Sequence, residues 1–158
     1  MHTKVVKSLK EKYKNLPRLG FSTSSDNLIL ETDASYNHWG AVLKTYQEKI
    51  CRNASETFKL AKKNYHSNEK ELLAIKNRIS EFIFFSLLKK FKVRSDNTQV
   101  KGFIFNKLPN LPQYKRLIRW QLFFVEYDFE IEFIKGSNNC IADFLSREYN
   151  GKDPFQNN

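Results

Sequence analysis

Glycine, proline, cysteine and methionine are all scarce in this chain. Five Gly and four Pro among 158 residues exclude a collagenous or low-complexity polymer. Cys51 and Cys140 have no metal-ligand spacing and read as free thiols of a reducing compartment. The first residues carry no long apolar stretch, so no secretory signal is visible. The longest near-continuous apolar run, 82–88, is broken by Ser86 and falls far short of a membrane span. Acidic residues are the minority: 17 Asp and Glu face 27 Lys and Arg, a net charge of +10. What is abundant is phenylalanine, 14 residues in a 41% apolar chain, which argues against disorder and for one domain with an ordinary core. The excess of positive charge suits a polyanionic partner, nucleic acid being the commonest. A merely solvated basic surface is the plain alternative.

Residues 1–26 stand apart as a basic segment. Lys4, Lys7, Lys10, Lys12, Lys14 and Arg18 accompany Val5, Leu9, Tyr13 and Leu16 at near-helical spacing, Pro17 ends that pattern, and residues 22–26 read as a linker. The expectation is a tether to an upstream region, followed by a domain at 27–149 and a polar, flexible tail at 150–158. Within the domain, strands are predicted at 28–33, 39–46 and 49–53, forming an antiparallel meander. A long helix at 67–88 carries Leu72, Ile75, Ile79, Phe82 and Ile83 on one face. A strand at 91–95, helices at 98–105 and 114–127, and an alternating strand at 129–135 follow. The last helix, 140–149, is capped by Asn138 or Asn139. The order βββ-α-β-α-α-β-α predicts an α/β fold with a five-stranded mixed sheet, three strands antiparallel and two parallel, covered by helices.

Four acids fall where these elements begin or end. Asp33 closes the first strand, Glu71 lies in the first turn of the long helix, Asp96 ends the fourth strand, and Asp143 lies early in the last helix. Functional groups collect at such places in open α/β sheets. Four converging carboxylates repel one another unless divalent cations lie between them, and oxygen ligation favours Mg²⁺ or Mn²⁺. Each acid also has a structural reading. Asp33 can cap a turn with Ser35, and Glu71 stands at capping-box spacing from Asn68. Asp96 can cap the next helix, and Asp143 can pair with Arg147 at i, i+4. Glu31 shares a strand face with Asp33 and reads as peripheral.

The motifs Thr32-Asp33-Ala34-Ser35, Trp39-Gly40, Tyr65 to Ile75, Arg94-Ser95-Asp96-Asn97, Arg119-Trp120, Ile134 to Asn139 and Ala142 to Arg147 together resemble a ribonuclease H domain. Their wording is similar to that of Ty3/gypsy-type reverse-transcribing elements. It is closer still to plant pararetroviruses (Caulimoviridae) of the rice tungro bacilliform or cauliflower mosaic type, where Cys51 to Ser55 also has a counterpart. The resemblance runs from about Leu28 to Glu148. It implies a ribonuclease H-like fold and hydrolysis of the RNA strand of RNA–DNA hybrids with two Mg²⁺ ions, Mn²⁺ substituting, to give 5′-phosphate and 3′-hydroxyl ends. Asp33 would bridge the ions, Asp143 would hold the one that activates water, and Glu71 and Asp96 the one at the leaving oxygen. Ser35, Asn68, Asn97, Asn138 and Asn139 are candidate nucleic-acid contacts; the chain lacks the extra basic helix of many cellular relatives, and Lys115, Arg116 and Arg119, alongside Lys89, Lys90, Lys92 and Arg94, are the best substitutes for backbone contacts. An upstream reverse transcriptase on the same polyprotein is the implied partner, no membrane is involved, and the host cytoplasm or virus particle is the implied location.

The loop before Asp143 departs from cellular relatives because it lacks their mobile His; either Asn138 or Asn139 substitutes for it or the function is absent. His66 reads as a structural residue ahead of the helix cap, and Trp39 and Trp120 read as core. Two other functions share the sheet. A non-catalytic, connection-like hybrid-binding module usually lacks one or more of the acids, and an integrase core expects Glu where Asp143 stands.

Overall fold

The computed structural model describes residues 20, 23, 25–82 and 90–147. Most of the basic segment 1–26 and all of the tail 150–158 lie outside these residues. Three strands open the fold: β1 (Leu28–Ala34), β2 (His38–Thr45) and β3 (Ile50–Thr57). A four-residue helix, α1 (Leu60–Lys63), precedes the long helix α2 (Ser67–Glu81). Then come β4 (Phe91–Ser95), α3 (Val100–Phe105), α4 (Lys115–Phe124), β5 (Phe129–Phe133) and α5 (Cys140–Ser146). The sheet order is β3-β2-β1-β4-β5, with β1–β2 and β2–β3 antiparallel and β1–β4 and β4–β5 parallel. This is the mixed five-stranded sheet the element order predicts.

Residues opposed in a ladder share a face, and the faces alternate along a strand. Leu30 opposes Leu43 and Ala34 opposes Trp39 on one side; Glu31 opposes Val42 and Asp33 opposes Gly40 on the other. The first side takes α2, whose Leu72, Ile75 and Ile79 enter the core with Leu30, Leu43, Trp39 and Val93. Those three helix side chains are buried to 1% exposure or less, each contributing about 1.5–3 kcal/mol of apolar burial. Both tryptophans fit the core reading, Trp39 fully and Trp120 packed half-buried against the cluster. The Arg78 guanidinium lies 3.9 Å over the Trp39 ring, adding a cation–π contact beneath α2.

The second side takes α5, and Gly40 permits its approach. A Cβ at Gly40 would stand 2.5 Å from Leu145 Cβ and 2.6 Å from the Ala142 carbonyl oxygen. Only glycine leaves room for a helix backbone that close. On the same face beyond α5, charged side chains pair with one another instead. Glu31 meets Lys44 at 2.7 Å and Arg94 at 3.3 Å, and Arg94 also meets Glu132 at 2.5 Å. Lys92 lies 3.4 Å from Glu132. Lys92 and Arg94 thus pair within the sheet's own ion network.

Several boundaries differ from expectation. β3 runs to Thr57, four residues beyond the expected end, because its outer face is solvated and carries no apolar alternation to mark it. The periodicity predicts α2 over 67–88; regular helix ends at Glu81, with Phe82 donating its N–H to the Arg78 carbonyl at 2.8 Å, and 83–89 lie outside the described residues. α5 stops at Ser146 because Arg147 is extended, with φ −98° and ψ 145°. No helix among the described residues is long and apolar enough to cross a membrane.

Candidate active site

Asp33 is the penultimate residue of β1, and Asp96 is the first residue after β4. These two strands are parallel neighbours, so their carboxyl ends lie side by side. α2 starts at the same end of the sheet and carries Glu71 on its inward stripe, one turn before Ile75. Carboxylate oxygens of Asp33, Glu71 and Asp96 all lie within 4.8 Å of one another. They line one cavity of about 650 Å³ with Ala34, Ser67, Asn68, Asn97, Thr98 and Gln99.

The structural alternatives resolve differently for each acid. The helix cap is taken by His66, whose backbone N–H donates to Glu69 Oε2 at 3.2 Å. Glu71 is therefore released from the expected capping box with Asn68. Its Oε1 accepts the Ala34 N–H at 2.9 Å, while its buried Oε2 has no hydrogen-bond partner among the described residues. Asp96 caps no helix, since Gln99 precedes α3 and Asn97 Oδ1 accepts the Gln99 N–H at 2.9 Å. Asp143 does make its expected pair: Arg147 donates Nε at 2.8 Å and Nη2 at 2.5 Å to Asp143 Oδ1. Asp143 stands outside the group of three but close enough for its charge to act on Asp33.

The electrostatics are adverse as the protein stands. Burial raises the Asp33 carboxyl above its usual range; the Ser146 hydroxyl and the Arg147 charge oppose this, and the charges of Asp96 and Asp143 add to it. Burial pushes Glu71 up further, helped by Asp33 and only partly opposed by the Ala34 N–H. Among the described residues none of Asp33, Glu71 and Asp96 is ion-paired. Oxygen donors alone, mutual repulsion and one orphaned buried carboxylate oxygen together fit a hard divalent cation.

Three residues of the site carry no signal of their own in the sequence reading, or only an incidental one. The Ser146 hydroxyl hydrogen-bonds Asp33 Oδ2 and lies 2.9 Å from the Asp143 carbonyl, tying α5 to β1. Its spacing of three residues from Asp143 was the available clue. Arg147 is visible as the ion-pair partner of Asp143 and as the end of the Ala142 to Arg147 motif. Gln99 accepts from Asn68 Nδ2 at 2.5 Å, and Asn97 Nδ2 donates to Asn68 Oδ1 at 2.7 Å, so three amides interlock at the cavity rim.

The expected nucleic-acid contacts divide. Asn68 and Asn97 line the cavity, and Lys115 and Arg119 are exposed on α4. Arg116 pairs with Glu69 at 2.8 Å and lies 3.8 Å over the Tyr65 ring. The Ser35 hydroxyl reaches the Ser146 carbonyl and so fastens α5 rather than facing outward. Asn138 is exposed, but Asn139 is fully buried and donates to the Thr32 carbonyl at 2.9 Å, which removes it as a contact and as a substitute for the loop His. The neighbouring Gly136 lies against the site, where a Cβ would approach Asp96 Oδ2 to 3.2 Å.

Comparison with known proteins adds to this geometry. The model of the "RNase H-like domain found in reverse transcriptase" matches residues 23–127. The enzymatic polyprotein of cauliflower mosaic virus (strain D/H) is 42% identical over 155 residues, covering 94% of this chain and 23% of the polyprotein. That of figwort mosaic virus (strain DxS) is also 42% identical, over 92% of this chain and 22% of the polyprotein. The chain thus spans less than a quarter of the length of these relatives. Among solved structures, the foamy viral protease-reverse transcriptase in complex with dsDNA superposes with a TM-score of 0.65 at 17% identity, over 85% of this chain and 29% of that one. RNase H1 from the archaeon Halobacterium salinarum gives 0.58 at 18% identity, over 76% and 92%. These two likenesses establish the fold.

Proposed function

The chain belongs to the family of RNase H-like domains found in reverse transcriptase, and from that premise we propose that it cleaves the RNA strand of RNA–DNA hybrids. In this reading Asp33, Glu71, Asp96 and Asp143 hold two divalent cations, Mg²⁺ with Mn²⁺ able to substitute, and the products end in 5′-phosphate and 3′-hydroxyl. The single observation that carries it is the meeting of three acids from β1, α2 and β4 within 4.8 Å, with the buried Glu71 Oε2 left without a hydrogen-bond partner among the described residues.

Bound divalent ions supply charge stabilisation at the reacting phosphate and a lower cost of deprotonating water. The chain's own residues supply position. The Ala34 N–H fixes one oxygen of Glu71 and leaves the other facing its neighbours. The Ser146 hydroxyl fixes Oδ2 of Asp33, and Gly40 lets α5 sit close enough for it to do so. No side chain of the pocket has to act as nucleophile, because preorganised charge does the work. Lys115 and Arg119 offer exposed cations to the phosphate backbone, and the net charge of +10 favours that encounter. A reverse transcriptase upstream on the same polyprotein, in the host cytoplasm or virus particle, completes the reading, with the basic segment at the amino end joining the two.

Incubation with Mg²⁺ or Mn²⁺ and end-labelled hybrid, duplex RNA or duplex DNA tests the proposal. Metal-dependent loss of RNA from the hybrid alone is expected. Intact hybrid RNA at every metal concentration would overturn it.

A further inference from the structure

Asp143 differs from the other three acids because a cation of the chain already sits on it. Arg147, one helical turn later, places Nε and Nη2 on the same oxygen, Oδ1, at 2.8 and 2.5 Å. Asp33, Glu71 and Asp96 have no ion-pair partner among the described residues and share a 4.8 Å cluster to which Asp143 does not belong. We propose that Arg147 is a resident counter-ion that makes the pocket load its cations unequally, the Asp33–Glu71–Asp96 side first and the Asp143 side only at higher concentration. This rests on the cation-binding reading above.

Two features favour competition by charge rather than by obstruction. Both guanidinium bonds go to Oδ1, which leaves Asp143 Oδ2 free of Arg147. The Arg147 side chain is also 70% exposed, so it can shift while keeping its bond. A unit positive charge about one helical turn from a divalent ion costs roughly tenfold in affinity even at the dielectric of water. Among the described residues no cation opposes the three-acid side as closely, and there the Glu71 oxygen has no hydrogen-bond partner. Ser146, adjacent in sequence, holds Asp33 in place on that side. Ser146 and Arg147 thus act differently: the first positions Asp33, while the second neutralises Asp143 by direct contact and reaches Asp33 and Asp96 only through its more distant charge.

Mn²⁺ titration of the full chain without nucleic acid, followed by electron paramagnetic resonance and calorimetry at low salt, reads this directly. Wild type is expected to show a tight and a weak class of site, with Asp143→Asn removing the weak one. Arg147→Gln, which keeps a hydrogen-bond donor but not the charge, should tighten the weak class about tenfold and the tight class by clearly less, because the Arg147 charge reaches Asp33 and Asp96 only from further away. Arg147→Lys should behave as wild type, and added salt should shrink the difference. A weak class that is unchanged or weakened in Arg147→Gln overturns the proposal and makes Arg147 a positioning residue only. Absence of any Mn²⁺ binding to wild type, or tight binding that survives Glu71→Gln with Asp33→Asn, overturns the cation-binding reading itself and this inference with it.

Discussion

Glu31 and Asp33 stand two residues apart on one strand, on the same face and almost equally buried, at 3% and 8% exposure. Their surroundings are opposite. Glu31 is met by Lys44 and Arg94, which are themselves shared with Glu48 and Glu132. Asp33 is met by Glu71 and Asp96; among the described residues it receives a serine hydroxyl and the more distant charge of Arg147, with no ion pair of its own. Burying an acid without a partner is costly, and proteins normally avoid it. The first acid obeys that rule and reads as architecture. The second breaks it in company, an arrangement that the proposed cation binding would relieve.

The sharpest way to break the contrast is to remove charge at the unpaired end. Asp33→Asn or Asp96→Asn should lower hybrid cleavage by about 10³-fold while leaving hybrid affinity within a few-fold. Single-turnover cleavage and filter binding on the same samples check both halves. A connection-like binding module would show no cleavage to lose.

Stability should respond in opposite directions at the two ends. Glu31→Gln leaves Lys44 and Arg94 short of a buried partner and should cost about 2–3 kcal/mol in urea denaturation. Glu71→Gln, in chelator, should instead stabilise, because it removes a buried charge held beside Asp33 and Asp96. Equal signs for the two variants would dissolve the comparison.

The same contrast predicts a pH dependence. Asp33 and Glu71 have folded-state pKa values raised mainly by burial, so the native chain binds more protons than the unfolded one above the ordinary carboxylate value, about 4. Their contribution to stability is therefore present at acid pH and is lost as pH rises through the raised values. Glu48 and Glu132, lowered by hydrogen bonds from Lys44 and Arg94 respectively, act the other way and lose their contribution as pH falls. In chelator, the melting temperature of wild type relative to Glu71→Gln should fall as pH is raised from 4.5 toward neutrality. A flat difference would count against the buried, unpaired state of Glu71.

The smallest effect belongs to the exposed cations of α4. Lys115→Ala and Arg119→Ala should each weaken hybrid binding modestly and reduce the slope of log affinity against log salt by about one. Lys92→Ala, whose partner is Glu132, should leave that slope unchanged.

Much of the fold was legible from periodicity. The order of strands and long helices, the mixed sheet and the inward stripe of α2 follow from spacings of two and of three to four residues. What was not legible depends on contacts between distant segments. Two overlapping cap patterns at the start of α2, His66 with Glu69 and Asn68 with Glu71, are both acceptable locally. Packing of Glu71 against the end of β1 decided between them. Asn139 reads as a helix cap or an outward-facing contact until α5 docks on Gly40 and buries it against Thr32.

The order of residues determined which acids are present, which element each one rides on, and that these elements end or begin on one side of a sheet, because backbone periodicity is a local property. Tertiary structure alone decided that three of the acids would meet without a cation while the fourth keeps Arg147, and that Glu31 would be neutralised by residues far away in the chain. The physical reason is that Coulomb energy and desolvation depend on distance and burial in space, and neither is written in the spacing of residues along a chain.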